Sequence, residues 1–344
     1  DTVAGRYLVI AFVDDATTAT VAAAAAGIAA APDLFDDEVA SFFCITSHPA
    51  DVERVRNRPP RIRFLFDTER RVGQMFGAVD LTGTTVRNLW VIIDPTLRVI
   101  DAFAFDDAVA DGGAGRVVAC LRDLPPPARF AGPELQAPIL YLPRVFEPEL
   151  CRQLIDLYDA HGGEISGFMR AIDGKTVGIH DASHKVRRDV LLEDPALLAT
   201  LQSRFLRRIV PEITKVHQYV VTRMERYLVA CYDAAEGGHF AAHRDNTTPG
   251  TAHRRFAVSV NLNEDFEGGE VSFPEYGPRG FKAPAGGAVV FSCSLLHRVS
   301  RVSSGKRYAF LPFLYDDAAA QLREANRASL ATGSVPPPTT PPVA

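Results

Sequence analysis

From Arg226 to Leu311 the chain is broken into short apolar runs by turns rich in Gly, Pro and Asn. The runs lie at 226–232, 239–245, 256–263, 271–274, 288–292 and 307–311, with turns at 235–238, 246–250, 267–270, 284–287 and 303–305. None is long enough for a helix that could bury an apolar face, and several alternate with period two, as half-buried strands do. Short strands at this rhythm can bury their apolar sides only by stacking sheet on sheet. That predicts a sandwich or a jelly roll.

Chemistry-bearing residues fall inside this frame. In a strand, residues i and i+2 share a face, so His243 and Asp245 can grip one ion together. His297, from a remote strand, would complete a two-His-one-carboxylate triad of the kind that holds iron(II) with positions left open. Arg307 follows ten residues after His297 (307 − 297), enough to turn and return on the neighbouring strand. A guanidinium buried there can pair bidentately with a carboxylate. The tripeptide alone says little, because about one chance His-x-Asp is expected in a chain with nine histidines. His-Arg-Asp also occurs in kinase catalytic loops, but here Asn246-Thr247-Thr248-Pro249-Gly250 follows and no kinase glycine loop precedes it. His239 shares the strand face of His243 and is expected at the rim of a pocket.

Over residues 140–316 the chain resembles the Fe(II)/2-oxoglutarate-dependent oxygenases, in their prolyl 4-hydroxylase branch. The matching stretches are Ala230-Cys231-Tyr232, His243-Arg244-Asp245, Asn261-Leu262-Asn263, Gly268-Gly269-Glu270 with Phe273-Pro274, residues 284–291, and His297 with Val299, Val302, Gly305 and Arg307. The resemblance implies a double-stranded β-helix (jelly roll) with a helical lead-in, and iron(II) and 2-oxoglutarate as cofactors. It also implies hydroxylation of a substrate with O2, releasing succinate and CO2. Carried over by position, His243, Asp245 and His297 ligate the iron. Arg307 pairs with the distal carboxylate of 2-oxoglutarate and Tyr232 contacts it, while strand alternation turns Lys306 away. Related halogenases replace the carboxylate ligand; Asp245 keeps it, which favours hydroxylation.

The first third has another rhythm. Strand-like runs at 7–13, 39–46, 62–66, 88–94 and 99–105 alternate with helix patterns at 17–30, 49–55, 69–76 and 114–124, which indicates an α/β layer. Over residues 5–124 this part resembles the peroxiredoxin branch of the thioredoxin fold, on residues 5–12, Asp67 with the helix to Phe76, and residues 87–94. The resemblance places a peroxidatic cysteine near 17–20, where the chain has none; Cys44 falls in a strand and Cys120 in the last helix. A degenerate redoxin is implied, kept for scaffolding, dimerisation or substrate docking, with a homodimer through it among the expected partners.

The expected division is therefore a thioredoxin-like domain at 1–124, a proline-rich linker at 125–136, an oxygenase domain at 137–317, and a C-terminal helix with a disordered tail at 318–344. Within the lead-in, the polar stretch 175–188, with His180, His184, Lys185, Arg187 and Arg188, reads equally as a substrate lid with a basic lip or as a solvated loop. The 246–255 loop, with His253, Arg254 and Arg255, is a second candidate substrate contact. A length of 344 residues with 47% hydrophobic content allows two cores, and a net charge of −5 argues against nucleic-acid binding. No apolar run is long enough to span a membrane. Five cysteines without a CxxC motif suggest reduced thiols and a cytoplasmic setting. A start at Asp1 rather than Met suggests a trimmed chain. Two readings remain: a hydroxylase of a peptidyl or small-molecule substrate, or a redoxin-based binding scaffold with a non-catalytic oxygenase-like domain.

Overall fold

A computed structural model describes residues 3–106 and 108–330, so the tail expected to be disordered lies outside them. The chain divides into two compact units. One runs to Gln136 and includes Pro274–Pro278; the other comprises Ala137–Phe273 and the chain from Arg279 on.

The first unit is built on a five-stranded sheet in the order Arg63–Phe66, Ala40–Thr46, Tyr7–Val13, Leu89–Ile93, Val99–Ala104. The first three strands are parallel and the last two antiparallel to their neighbours. The central strand, YLVIAFV, is buried along its whole length, so both faces must be covered. Its alternate residues do separate. Tyr7, Val9, Ala11 and Val13 join a cluster with Val21, Ala24 and Ile28 of helix Ala19–Ala29 and with Val117 and Leu121 of helix Ala114–Asp123. Leu8, Ile10 and Phe12 join Ile45, Ala78, Val91 and Ile93 on the other side. Each such fully buried aliphatic side chain contributes about 1.5–3 kcal/mol. Thr18 caps the first helix by accepting from the Val21 N–H at 3.3 Å, which fixes its start two residues later than the sequence pattern suggested. Residues 125–136, read as a linker, are grouped with this unit. The Tyr7 hydroxyl donates to the Pro125 carbonyl at 2.7 Å, and Phe130 packs against its core.

The second unit contains two larger sheets, consistent with a jelly roll. One has five strands, ordered Lys185–Val186, His239–His243, His297–Val299, Val271–Ser272, Gly280–Phe281. The other has nine, with Phe256–Asn261, Lys306–Phe310, Leu228–Asp233 and Arg188–Leu191 as consecutive neighbours. Helices Pro148–His161, Pro195–Arg208 and Val210–His217 lay Leu154, Leu201, Phe205 and Ile213 on one face of the nine-stranded sheet, against Val229, Cys231, Val258, Val260 and Phe310. Side chains alternate along each strand, so residues of the opposite parity, Tyr232, Ser259 and Arg307, turn to the other face. Among the described residues no helix is long and apolar enough to cross a membrane.

Two expectations for the second unit need correction. The 175–188 stretch is not a solvated loop. Lys175–Ile179 pairs with Phe168–Ile172 across an Asp173-Gly174 turn whose residues both have positive φ, and Lys185–Val186 and Arg188–Leu191 are sheet strands. Their charges escaped the pattern because Arg187 is buried by its ion pair with Asp189 and Lys185 by hydrogen bonds to Ser166 and the Gly167 carbonyl, not by hydrophobicity. In the 246–255 loop, Arg255 turns its Nη1 back to the Ala252 carbonyl at 2.7 Å, and the other two basic residues do not face a ligand. His253 and Arg254 are buried, held by Glu225 at 3.0 and 2.8 Å.

Candidate metal centre

His243 is the last residue of its strand and directly opposes His297 in the antiparallel register, so the two imidazoles are cross-strand neighbours. The strand ends there, two residues short of the 239–245 expected. Asp245 sits in the following turn, held by its N–H to the Cys293 carbonyl at 3.0 Å. Its carboxylate still converges on the imidazoles: Oδ1 lies 3.5 Å from Nε2 of His243 and Oδ2 3.4 Å from Nε2 of His297. Arg244 turns outward and donates to the Ser294 carbonyl.

Both imidazoles are set by the same device. Nδ1 of His243 lies 2.8 Å from the Ala241 carbonyl and Nδ1 of His297 3.0 Å from that of Leu295. A carbonyl can only accept, so each Nδ1 carries a proton and each Nε2 is turned inward. Burial, with His243 alongside, lowers the pKa of His297 to about 4, so it is neutral at ordinary pH, the form that binds metal. The ligand atoms of His243, Asp245 and His297 all lie within 4.8 Å of one another, a spacing that could hold one ion. Phe240 stacks on His243 with ring centroids 3.5 Å apart, and Phe291 lies 4.6 Å from His297. These apolar walls shield the group from water on two sides.

Arg307 lines the same pocket and is 2% exposed. Its Nε donates to Asn261 Oδ1 at 3.0 Å and its Nη2 to Ser259 Oγ at 2.6 Å, both on the neighbouring strand. Nη1 is buried with no hydrogen-bond partner. A buried cationic donor without an acceptor is costly, so this atom marks a place for an anionic oxygen. Tyr232 opposes Arg307 in register, and its ring lies 5.3 Å from the guanidinium carbon. Lys306 points the other way, to Asp233 at 3.2 Å. His239 stays apart from the triad; its Nδ1 and Nε2 face the Gly237 and Ser183 carbonyls.

Sequence reading named Arg187 as part of a candidate basic lip but did not place it, Asp189 or Arg226 around Tyr232. Arg187 donates to its hydroxyl at 3.4 Å and forms a two-pronged pair with Asp189 at 2.7 and 2.6 Å. Arg226 also lines the pocket and reaches Asp189 at 3.3 Å. The parity of Lys185-Val186-Arg187 was the available signal, since it resembles a strand with one polar face turned inward.

The 2OG-Fe(II) oxygenase superfamily model matches residues 227–315. A PKHD-type hydroxylase of Gluconobacter oxydans is 31% identical over 182 residues, covering 50% of this chain and 75% of that protein. The chain belongs to the 2OG-Fe(II) oxygenase superfamily. The resemblance drawn from the 230–307 motifs is thereby borne out, and the superfamily's name carries both expected cofactors. This superfamily member nevertheless spans only 39% of the length of PKHD-type hydroxylases from two Synechococcus strains, at 33% identity over 89 residues and 24% of its own length. Among solved structures, it is similar to a prolyl hydroxylase in complex with a hypoxia inducible factor peptide fragment from Trichoplax adhaerens. That likeness has 15% identity and a TM-score of 0.40, and covers 54% of this chain and 86% of the other. Peroxiredoxin Q of Xanthomonas campestris is similar to the N-terminal part, with 18% identity, a TM-score of 0.29 and coverage of 35% and 79% respectively.

Proposed function

We propose that this chain is an iron(II)- and 2-oxoglutarate-dependent dioxygenase that hydroxylates a prolyl-type or related substrate. The observation that carries the reading is one pocket that holds both the inward-facing donors of His243, Asp245 and His297 and the unpartnered Nη1 of Arg307. His243, Asp245 and His297 would hold the iron. Arg307, with Tyr232 beside it, would hold the far carboxylate of 2-oxoglutarate. The donor set fits: two imidazoles and one carboxylate match a facial triad, and a buried guanidinium matches a dicarboxylate that must be oriented.

Iron and 2-oxoglutarate, when bound, supply the activation of O2 that places one oxygen atom on the substrate and the other in succinate as CO2 leaves. The rest is the protein's own work. Ala241 and Leu295 hold the imidazole tautomers through their carbonyls. Asn261 and Ser259 fix the Arg307 fork so that its remaining N–H points one way. Phe240 and Phe291 exclude water from the triad. The same reading takes 137–317 as a double-stranded β-helix and 1–124 as a thioredoxin-like domain. That domain would serve in scaffolding, docking or homodimer formation in a cytoplasmic setting. The free state of all five cysteines supports that setting.

The test is spectroscopic. Apo-protein mixed anaerobically with iron(II) and 2-oxoglutarate should give a visible metal-to-ligand charge-transfer band, lost in His243→Ala and weakened in Arg307→Ala. No band in folded wild-type protein would overturn the reading and leave the non-catalytic scaffold in its place.

A further inference from the structure

The pocket wall carries more positive charge than the cosubstrate explains. Among the described residues that line it, Asp245 is the one carboxylate, against Arg187, Arg226 and Arg307. Outside the triad, one buried carboxylate serves a group of cations. Asp189 takes Arg187 at 2.6 Å and Arg226 at 3.3 Å, and accepts from Ser166 Oγ at 2.5 Å. Ser166 Oγ in turn accepts from Lys185 Nζ at 2.8 Å. Two guanidiniums, Arg187 and Arg226, thus share a single carboxylate in an interior where unmatched charge is expensive.

They are not equivalent. Every nitrogen of Arg187 is engaged, by Asp189, Ser166 and Tyr232, so Arg187 is a positioning residue. Lys185 is turned away to Ser166 and the Gly167 carbonyl. Arg226 gives Asp189 only one long contact through Nη2, and its side chain remains 25% exposed at the pocket. Its backbone is also held at φ 63, between strands Arg223–Glu225 and Leu228–Asp233. That left-handed conformation costs a non-glycine residue energy, and such strain persists where it places a side chain for use.

We infer that Arg226 forms a second anion subsite in this pocket, one that takes a carboxylate of the substrate to be hydroxylated. The inference rests on the hydroxylase reading above and narrows its substrate to a small carboxylate-bearing molecule. Arg307 then orients the cosubstrate from its strand, and Arg226 orients the substrate from the short connection between two other strands of the same sheet. A structural role alone, as a partner of Asp189, would need no open donor facing the cavity.

The experiment is ligand binding by calorimetry and thermal shift on the full chain. The protein is loaded with manganese(II) to prevent turnover, with and without saturating 2-oxoglutarate. The probes are propanoate, L-proline and L-glutamate, each against its neutral amide at the carboxyl under test. With 2-oxoglutarate present, at least one acid should bind about tenfold tighter than its amide, the scale of one charge-assisted hydrogen bond. Arg226→Gln should lose that preference while keeping the 2-oxoglutarate shift; Arg226→Lys should keep part of it. Arg307→Gln should lose the 2-oxoglutarate shift while keeping the acid preference. Equal binding of every acid and amide, or a preference that survives in Arg226→Gln, overturns the subsite. Failure of 2-oxoglutarate to bind wild-type protein would instead defeat the hydroxylase reading, and the arms without it still decide the subsite. Should Arg226→Gln fail to fold, Arg226→Met, whose stem fills the same space, is read instead: it too should lose the acid preference, and a preference that survives in it overturns the subsite.

Discussion

At the scale of single residues, the arrangement around Arg307 separates a charge from the groups that aim it. Arg307→Gln removes the cation and leaves Ser259 and Asn261 facing a cavity. The expected result is a rise in the KM for 2-oxoglutarate of thirtyfold or more, since breaking a buried charge pair costs about 2–5 kcal/mol. Arg307→Lys keeps the charge but cannot reproduce the fork that binds Asn261 at 3.0 Å and Ser259 at 2.6 Å, so it should recover only part of the affinity. Ser259→Ala removes one neutral acceptor and should cost about 1 kcal/mol, roughly fivefold in the same KM. A KM for 2-oxoglutarate that did not move in Arg307→Gln would show that the cosubstrate lies elsewhere.

At the scale of elements, two features hold the strands that carry the site. Gly268 and Gly269 have φ of 72 and 66, and a Cβ on Gly269 would lie 3.0 Å from Cδ of Arg307 and from Cγ2 of Val302. Gly269→Ala should therefore lower stability by about 1 kcal/mol or more and shift Arg307, weakening 2-oxoglutarate binding alongside the Tm. The second feature is Glu225, at the end of its strand, fully buried and bound to His253, Arg254 and Arg323. Burial raises its pKa, but the Arg254 guanidinium and the His253 bond outweigh that and hold it well below the usual carboxylate range. The folded value is depressed, so this contribution is present above the unfolded pKa of about 4.3 and is lost as pH falls below it. Glu225→Gln leaves cations unmatched and should cost about 3–5 kcal/mol at pH 7, with the gap from wild type closing in denaturant titrations below about pH 4. A gap independent of pH would mean that shape, not charge, holds the knot. These elements also show what a sequence can reveal. His243, Asp245, His297 and Arg307 were legible because such a site needs fixed residue types at close spacing, although Asp245 reaches it from the turn after the strand and not from the strand face that period two assigned it. The buried placement of Lys185, Arg187, Arg226 and His253 was not legible, although three of them had been singled out as candidate substrate contacts. Their burial depends on Asp189 and Glu225, carboxylates whose pairing across the fold has no local pattern, and charge-rich strands two to four residues long resemble loops.

At the scale of the whole molecule, the five cysteines test whether any thiol chemistry remains beside the metal chemistry. Burial, with Asp51 nearby, pushes Cys44 up to about 12, and burial pushes Cys151 to about 11 and Cys231 to about 12. Burial also raises Cys293 well above its ordinary value. Cys120, on helix Ala114–Asp123, is the one thiol not classed as buried, and its pKa is raised as well, by burial and then by Asp101. A thiolate is the reactive form, so none is activated as a peroxidase requires. Native protein treated with a small alkylating reagent at pH 8 should therefore label Cys120 first and slowly, and the other four only on unfolding; mass spectrometry of the peptides gives the order. Hydrogen peroxide should not be consumed with thiol reductant as electron donor. Rapid labelling of Cys44, or thiol-dependent peroxide turnover, would mean that the N-terminal unit opens to expose a working redox site. In that case the chain would join two activities.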